Sequence, residues 1–232
     1  MASLTQRLLA PFQVALKQSI EGYVRLETVD DEVTLVAKDG SLVSYLRVDG
    51  SRQVIGEEEY EYLIEGSTIK IGSRFDRQGH ALQVYFIRDP ERIRQHLERL
   101  VRPSRVTAQA CDLDIDDLFD ERVRHLSSYL SYEECYFVLW TRPTVLTKNE
   151  RNRALKDART KKWVRAPNAM YPLAALEALR TRHKSFVSAI SASLDELGIR
   201  SEVVPVRDAL RAVRDNMFPT KANEEWSPCL PG

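Results

Sequence analysis

The residues best placed to do chemistry are cationic. Arg151, Arg153, Lys156, Arg159, Lys161 and Lys162 crowd a stretch almost without acid, and Trp163 follows the last two. Lysine and arginine neutralise phosphates, while an indole stacks on a base or lodges at a lipid interface. A helix over 151–165 is therefore a candidate nucleic-acid or membrane contact. The same residues also describe a solvated helix face, or a patch that meets an acidic protein surface such as Asp112 to Asp120 of another copy. Overall charge does not choose between these: 34 Lys and Arg balance 34 Asp and Glu, and a formal net charge of +0 gives no global field to steer nucleic acid or membrane.

Other constellations fail on spacing. Asp112, Asp114, Asp116, Asp117 and Asp120 begin like a calcium loop, but the glycine its sharp turn needs is Asp117 and the bidentate glutamate is Val123. The acids read better as a helix start or a docking surface. His80, His96, His125 and His183 show no zinc spacing and read as surface or partly buried structural residues. None of the nine glycines stands in GxxxxGK[ST], the spacing that lets backbone amides and a lysine cradle phosphates, and no GxSxG elbow presents a serine. We expect no catalytic, cofactor-binding or metal residue in this chain. Cys111, Cys135 and Cys229 are odd in number and unpaired in motif, which fits a reducing, cytoplasmic compartment.

These residues must be positioned by ordinary elements. Hydrophobic content of 43% with 29% charged residues is that of a folded domain, and 232 residues suffice for a sizeable core. Leu4, Leu8, Leu9, Phe12, Ala15, Leu16 and Ile20 recur at helical spacing, which predicts an amphipathic amino-terminal helix over 1–25 interrupted at Pro11. It has neither the roughly 20 apolar residues of a membrane span nor a cleavable secretory signal. Leu8, Leu9 and Phe12 are candidate partner contacts, and packing on the chain's own domain is the simpler alternative.

Val33 to Ala37 and Leu42 to Val48 flank Lys38-Asp39-Gly40-Ser41, a hairpin signal. An acidic helix is expected over Glu57 to Glu65, a strand over Ala81 to Arg88, and a helix from Pro90 to about Arg102 capped by Asp89. A helix over Asp116 to Tyr129 precedes an apolar, central strand, Glu134 to Trp140. Thr147 and Glu150 form a capping box that opens the basic helix, and residues 150–171 read as an insertion. A long helix from Pro172 to Leu197 ends at Gly198, followed by a strand over Glu202 to Val206 and a helix over Asp208 to Asn216. The expected class is α+β: a mixed, largely antiparallel sheet that starts with a β-hairpin and is covered by helices.

In order, Asp39-Gly40-Ser41 with Val48-Asp49-Gly50, Val84 to Asp89, Tyr136 to Pro143 and Leu197 to Pro219 resemble the amino-terminal domain of the type IV secretion and conjugation ATPases of the VirB-four-like class, nearest the IcmB/DotO/TraU branch. The resemblance implies an assembly domain over 26–219, with 220–232 as a linker towards a carboxy-terminal ATPase domain that would carry the Walker motifs and use ATP and Mg. It implies partners as well: copies of itself in a dimer or hexamer, inner-membrane secretion-complex proteins and other secretion ATPases, met at the cytoplasmic face of a bacterial inner membrane. The residues nominated for such contacts are Leu8, Leu9, Phe12, Arg159, Lys161, Lys162 and Trp163. The alternative function is a nucleic-acid-binding module using the basic helix 151–165.

Overall fold

The computed structural model describes residues 25–76, 78–89, 92–160, 176–218 and 228, apart from the side chains of 155 and 157–160. Among them, six strands form one sheet: β1 (Leu26–Asp31), β2 (Thr34–Ala37), β3 (Leu42–Ser51), β4 (His80–Asp89), β5 (Tyr132–Thr141) and β6 (Ile199–Val203). The helices are α1 (Glu57–Gly72), α2 (Arg92–Ala110), α3 (Asp116–Ser127), α4 (Lys148–Thr160), α5 (Leu176–Glu196) and α6 (Val206–Met217). The class is α+β, as the alternation of patterns predicts.

The β2–β3 hairpin turns where Asp-Gly demands. Gly40 takes φ 78°, which costs a glycine no side-chain clash, and the Asp39 carboxylate accepts from the Ser41 amide at 3.0 Å. β3 is the hub. β5 lies along one edge of it, while β2 and β6 share the other, β2 opposite Leu42 and Val43 and β6 opposite Leu46 to Ser51. The order through the centre is β6-β3-β5-β4. Helix α1 carries the chain from β3 to β4 past β5, and the α4–α5 connection carries it from β5 to β6 past β3. Two split β-α-β units interlocked in this way are the ferredoxin-like arrangement. The expected mixed sheet is corrected: every pairing is antiparallel, because each crossover skips a strand and strands of equal direction never become neighbours.

Two layers flank the sheet. On one face α5 packs Phe186, Val187, Ile190 and Leu194 against Leu46 and Leu139, with Leu82, Phe137 and Val203 at the margin. On the other, Val206, Ala209 and Ala212 of α6 close over Leu35, Val43, Tyr45, Tyr136 and Val138. Each fully buried large side chain contributes about 1.5–3 kcal/mol, so these layers supply most of the stability that fixes β3 and β5.

Further expectations need correction. β1 was not anticipated, since LETVDD carries three acids of types depleted in strands; Arg180 of α5 holds Asp30 with two nitrogens, Nε at 2.7 Å, and makes the strand tolerable. α1 continues beyond Glu65 to Gly72. α2 continues beyond Arg102 to Ala110 with Pro103 inside it. The proline forfeits one backbone bond, but Ile93, Leu97 and Val101 pack on Val123 and Leu126 of α3 and hold the helix together. β6 begins at Ile199, because Gly198 at φ 71° turns the chain directly out of α5, and Pro205, unable to donate to a ladder, ends it before Val206 starts α6.

Candidate functional site

Among the described residues the sheet has three outer strands, β1, β4 and the short β6, and the first two are built differently. β1 has two register shifts against β2 and carries Glu27, Asp30 and Asp31. Lys184 pairs with Asp31 at 3.0 Å. Burial works against the Asp31 charge, yet hydrogen bonds with Thr34, Lys184 and the Val33 amide outweigh it and hold the carboxyl below its ordinary value. Irregularity and fixed charge are what keep a foreign strand off an edge.

β4 has no irregularity, and its fixed charge is confined to its last two residues, Arg88 and Asp89. All ten of its residues run in unbroken register with β5, from His80 opposite Thr141 to Asp89 opposite Tyr132, and among the described residues no strand lies on its outer side. The strand contains no proline and no lysine. Alternation sends Leu82, Val84 and Phe86 to the α5 face. Leu82 reaches the core, but Val84 and Phe86 stand 57% and 55% exposed, since α5 packs on β3 and β5 rather than over this end of β4. At the far end, Arg88 contacts Ser131 at 3.1 Å and Glu133 at 3.6 Å, and the Asp89 carboxylate caps α2 through the Arg92 amide at 3.1 Å. An aliphatic and an aromatic side chain thus share an open, regular edge.

The start of β4 leads to the second unusual feature. His80 lines a cavity of about 520 Å³ with Arg74, Thr181, Arg182, Ser185 and Phe186, its ring stacked on Phe186 at 4.1 Å. Behind it runs a chain of buried polar groups. His80 Nδ1 lies 3.2 Å from Thr141 Oγ1, which lies 2.8 Å from His183 Nδ1; His183 Nε2 lies 2.9 Å from Ser44 Oγ, and that hydroxyl donates to the Val33 carbonyl at 2.9 Å. A hydroxyl has one proton, so its last bond fixes all the others. Ser44 accepts from His183 Nε2–H, His183 Nδ1 accepts from Thr141, and Thr141 accepts from His80 Nδ1–H. Burial first, and His80 second, pull the His183 imidazole down to about 4, so it is neutral as this wiring requires.

The polarity bears on chemistry. Activation of a serine needs an imidazole that receives the hydroxyl proton. Here the imidazole donates to Ser44, which is buried at 2% exposure with His183 at 1%. The chain therefore joins α5, β3, β5 and β4 as a polar tie across the sheet. Among the described residues no group of three or more His, Cys, Asp or Glu assembles as a metal site, and no helix is long and apolar enough to cross a membrane.

The nominated residues fall mostly elsewhere. Leu8, Leu9, Phe12, Lys161, Lys162 and Trp163 lie outside the described residues, as does the side chain of Arg159. The helix that leads to them forms as its capping box predicts: Thr147 N donates to Glu150 Oε2 at 2.8 Å, Glu150 N donates to Thr147 Oγ1 at 3.3 Å, and Arg151, Arg153 and Lys156 are exposed. Arg182 braces the same carboxylate at 2.7 Å. The acidic run is used within the chain, where Arg105 of α2 holds Asp116 at 3.2 Å and also Asp120. His96 packs on Tyr132 and His125 on Tyr129. Sequence reasoning found β4 but not its outward pair Val84 and Phe86; the absence of lysine and proline from the strand was the available signal. No family model matches the chain, and no curated protein does.

Proposed function

We propose that this chain is a non-catalytic assembly domain, the amino-terminal part of a type IV secretion ATPase, which holds the motor to neighbouring subunits and to the inner-membrane secretion complex. β4 carries this reading: a ten-residue, unbulged outer strand with Val84 and Phe86 exposed is the kind of edge that another polypeptide can extend. The segments that bear the family resemblance support it. They supply the β2–β3 turn, the end of β3, the second half of β4, most of β5 and the β6–α6 unit. Fold alone assigns no activity, so the weight rests on the edge.

In this reading ATP and Mg belong to a carboxy-terminal motor domain, and the protein sits at the cytoplasmic face of a bacterial inner membrane. Phosphate release from ATP by the purified chain is expected at background level, and the reading frame beyond Gly232 is expected to encode GxxxxGK[ST]. Turnover above background, or a frame that closes without that motif, overturns the reading. A second reading, nucleic-acid binding through α4, draws on the exposed Arg151, Arg153 and Lys156. It requires a salt-dependent mobility shift that Arg153→Glu with Lys156→Glu abolishes, and fails if wild type gives no shift.

A further inference from the structure

We infer that β4 pairs with β4 of a second copy of this chain, antiparallel and centred on Tyr85, so that one sheet runs through both molecules. The inference rests on the assembly reading above and names the partner of that same edge. Symmetry restricts the pairing severely. A two-fold axis normal to the sheet keeps each face continuous, so residues directly opposite one another must point to the same face, and only registers centred on a residue satisfy this. Tyr85 and Val84 are the centres that engage most of the strand, followed equally by Gln83 and Phe86.

Side chains choose among them. Centred on Tyr85, Val84 lies opposite Phe86 of the second copy, and Phe86 opposite its Val84. The two exposed apolar groups then cover each other twice, as aromatic and β-branched pairs favour. Arg88 lies opposite Leu82, where its methylene stem can cover apolar surface. Centred on Phe86, Val84 would face Arg88; centred on Val84, Phe86 would face Leu82, which already packs on its own core, and Arg88 would face His80; centred on Gln83, Phe86 would face His80. The opposite face agrees independently. Tyr85 stacks on Tyr136 with ring centroids 6.0 Å apart, and Tyr136 meets Tyr45 edge-on at 6.4 Å. A Tyr85 centre sets this row end to end with its symmetry mate, six tyrosines across one continuous sheet. A second copy therefore fits the edge, because the pairing preferences are self-complementary on both faces.

The test uses the full chain in sedimentation equilibrium at about 100 µM, a concentration that registers micromolar association. Wild type is expected to be dimeric, and Val84→Lys with Phe86→Lys to weaken association about 100-fold with an unchanged circular dichroism spectrum. Register is read by disulfide trapping in a Cys111→Ser, Cys135→Ser, Cys229→Ser background: a mixture of V84C and F86C chains cross-links under mild oxidation, and neither chain alone does so comparably. A monomeric wild type, or a dimer that survives the double lysine variant, overturns the pairing. Cross-linking of V84C alone or F86C alone at the level of the mixture overturns the register. A monomer without ATP turnover removes only the self-pairing, whereas turnover above background removes the assembly reading beneath it.

Discussion

Under α5, Ser44, Thr141 and His183 occupy positions no more than 2% exposed, where leucine or valine is the ordinary occupant. At the margin of β4 the distribution is inverted, and Val84 and Phe86 stand more than half exposed. The difference between the two regions lies in their partners. Every bond in the buried chain has a donor and an acceptor within the protein, so its polarity is matched internally and its role is to fix the sheet. Among the described residues the β4 edge has no such internal match: no strand pairs with its outer side, and Val84 and Phe86 are exposed. An inverted position that is satisfied within the chain is structural, and one that is not is where the proposed second copy would pair.

The comparison breaks most sharply at His183. Replacement by leucine removes two buried hydrogen bonds and leaves the Thr141 hydroxyl without its acceptor, at an expected cost of about 4 kcal/mol in urea unfolding. Adding Ser44→Ala and Thr141→Val removes the two orphaned hydroxyls but takes their partners from the Val33 carbonyl and His80 Nδ1–H, so only part of the loss should return. A triple variant no more stable than the single one would show that the chain is not a self-satisfied unit.

Acid probes the same region without mutation. A histidine with a folded value of about 4 against an ordinary 6.5 denies the folded state a proton that the unfolded chain accepts. Stability from this group is full above pH 6.5, falls as pH drops from 6.5 to 4, and is level below. The gap is worth about 3 kcal/mol. The slope should vanish in the His183→Leu variant; a slope that persists there assigns the titration to another group.

Gly79 joins the two regions, since it delivers His80 to the buried chain and starts β4. Its φ of 110° is open to glycine, its carbonyl accepts from Arg142 N at 2.7 Å, and a Cβ would meet the Val145 nitrogen at 2.7 Å. Gly79→Ala is expected to cost about 2 kcal/mol, read as a lower Tm with the edge still able to associate.

What was legible in the sequence was local. Asp39-Gly40 placed a turn, Thr147 and Glu150 a helix start, Gly198 a helix end, because in each case the deciding atoms lie within a few residues of one another. The last strand was misplaced by three residues at each end for want of weight on Pro205. Strand order was not legible. Nothing near Val84 says that β4 is outermost, a fact settled by crossovers that skip β5 and β3, and nothing near Ser44 announces His183, 139 residues further along the chain. The basic and amino-terminal contacts nominated from composition lie mostly outside the described residues, so the candidate edge had to come from topology.

The smallest expected effect sharpens the comparison furthest. In dilute solution, Val84→Lys with Phe86→Lys should change stability by no more than about 0.5 kcal/mol, since neither side chain is anchored in the core and lysine stems lie readily on a sheet margin. At high concentration the two proteins should diverge. Association stabilises whatever associates, so the wild-type Tm rises with protein concentration while that of the double variant stays flat. A loss well above 0.5 kcal/mol at high dilution would instead mean that Val84 and Phe86 pack within the chain, which would make the margin of β4 as internally satisfied as the buried polar chain.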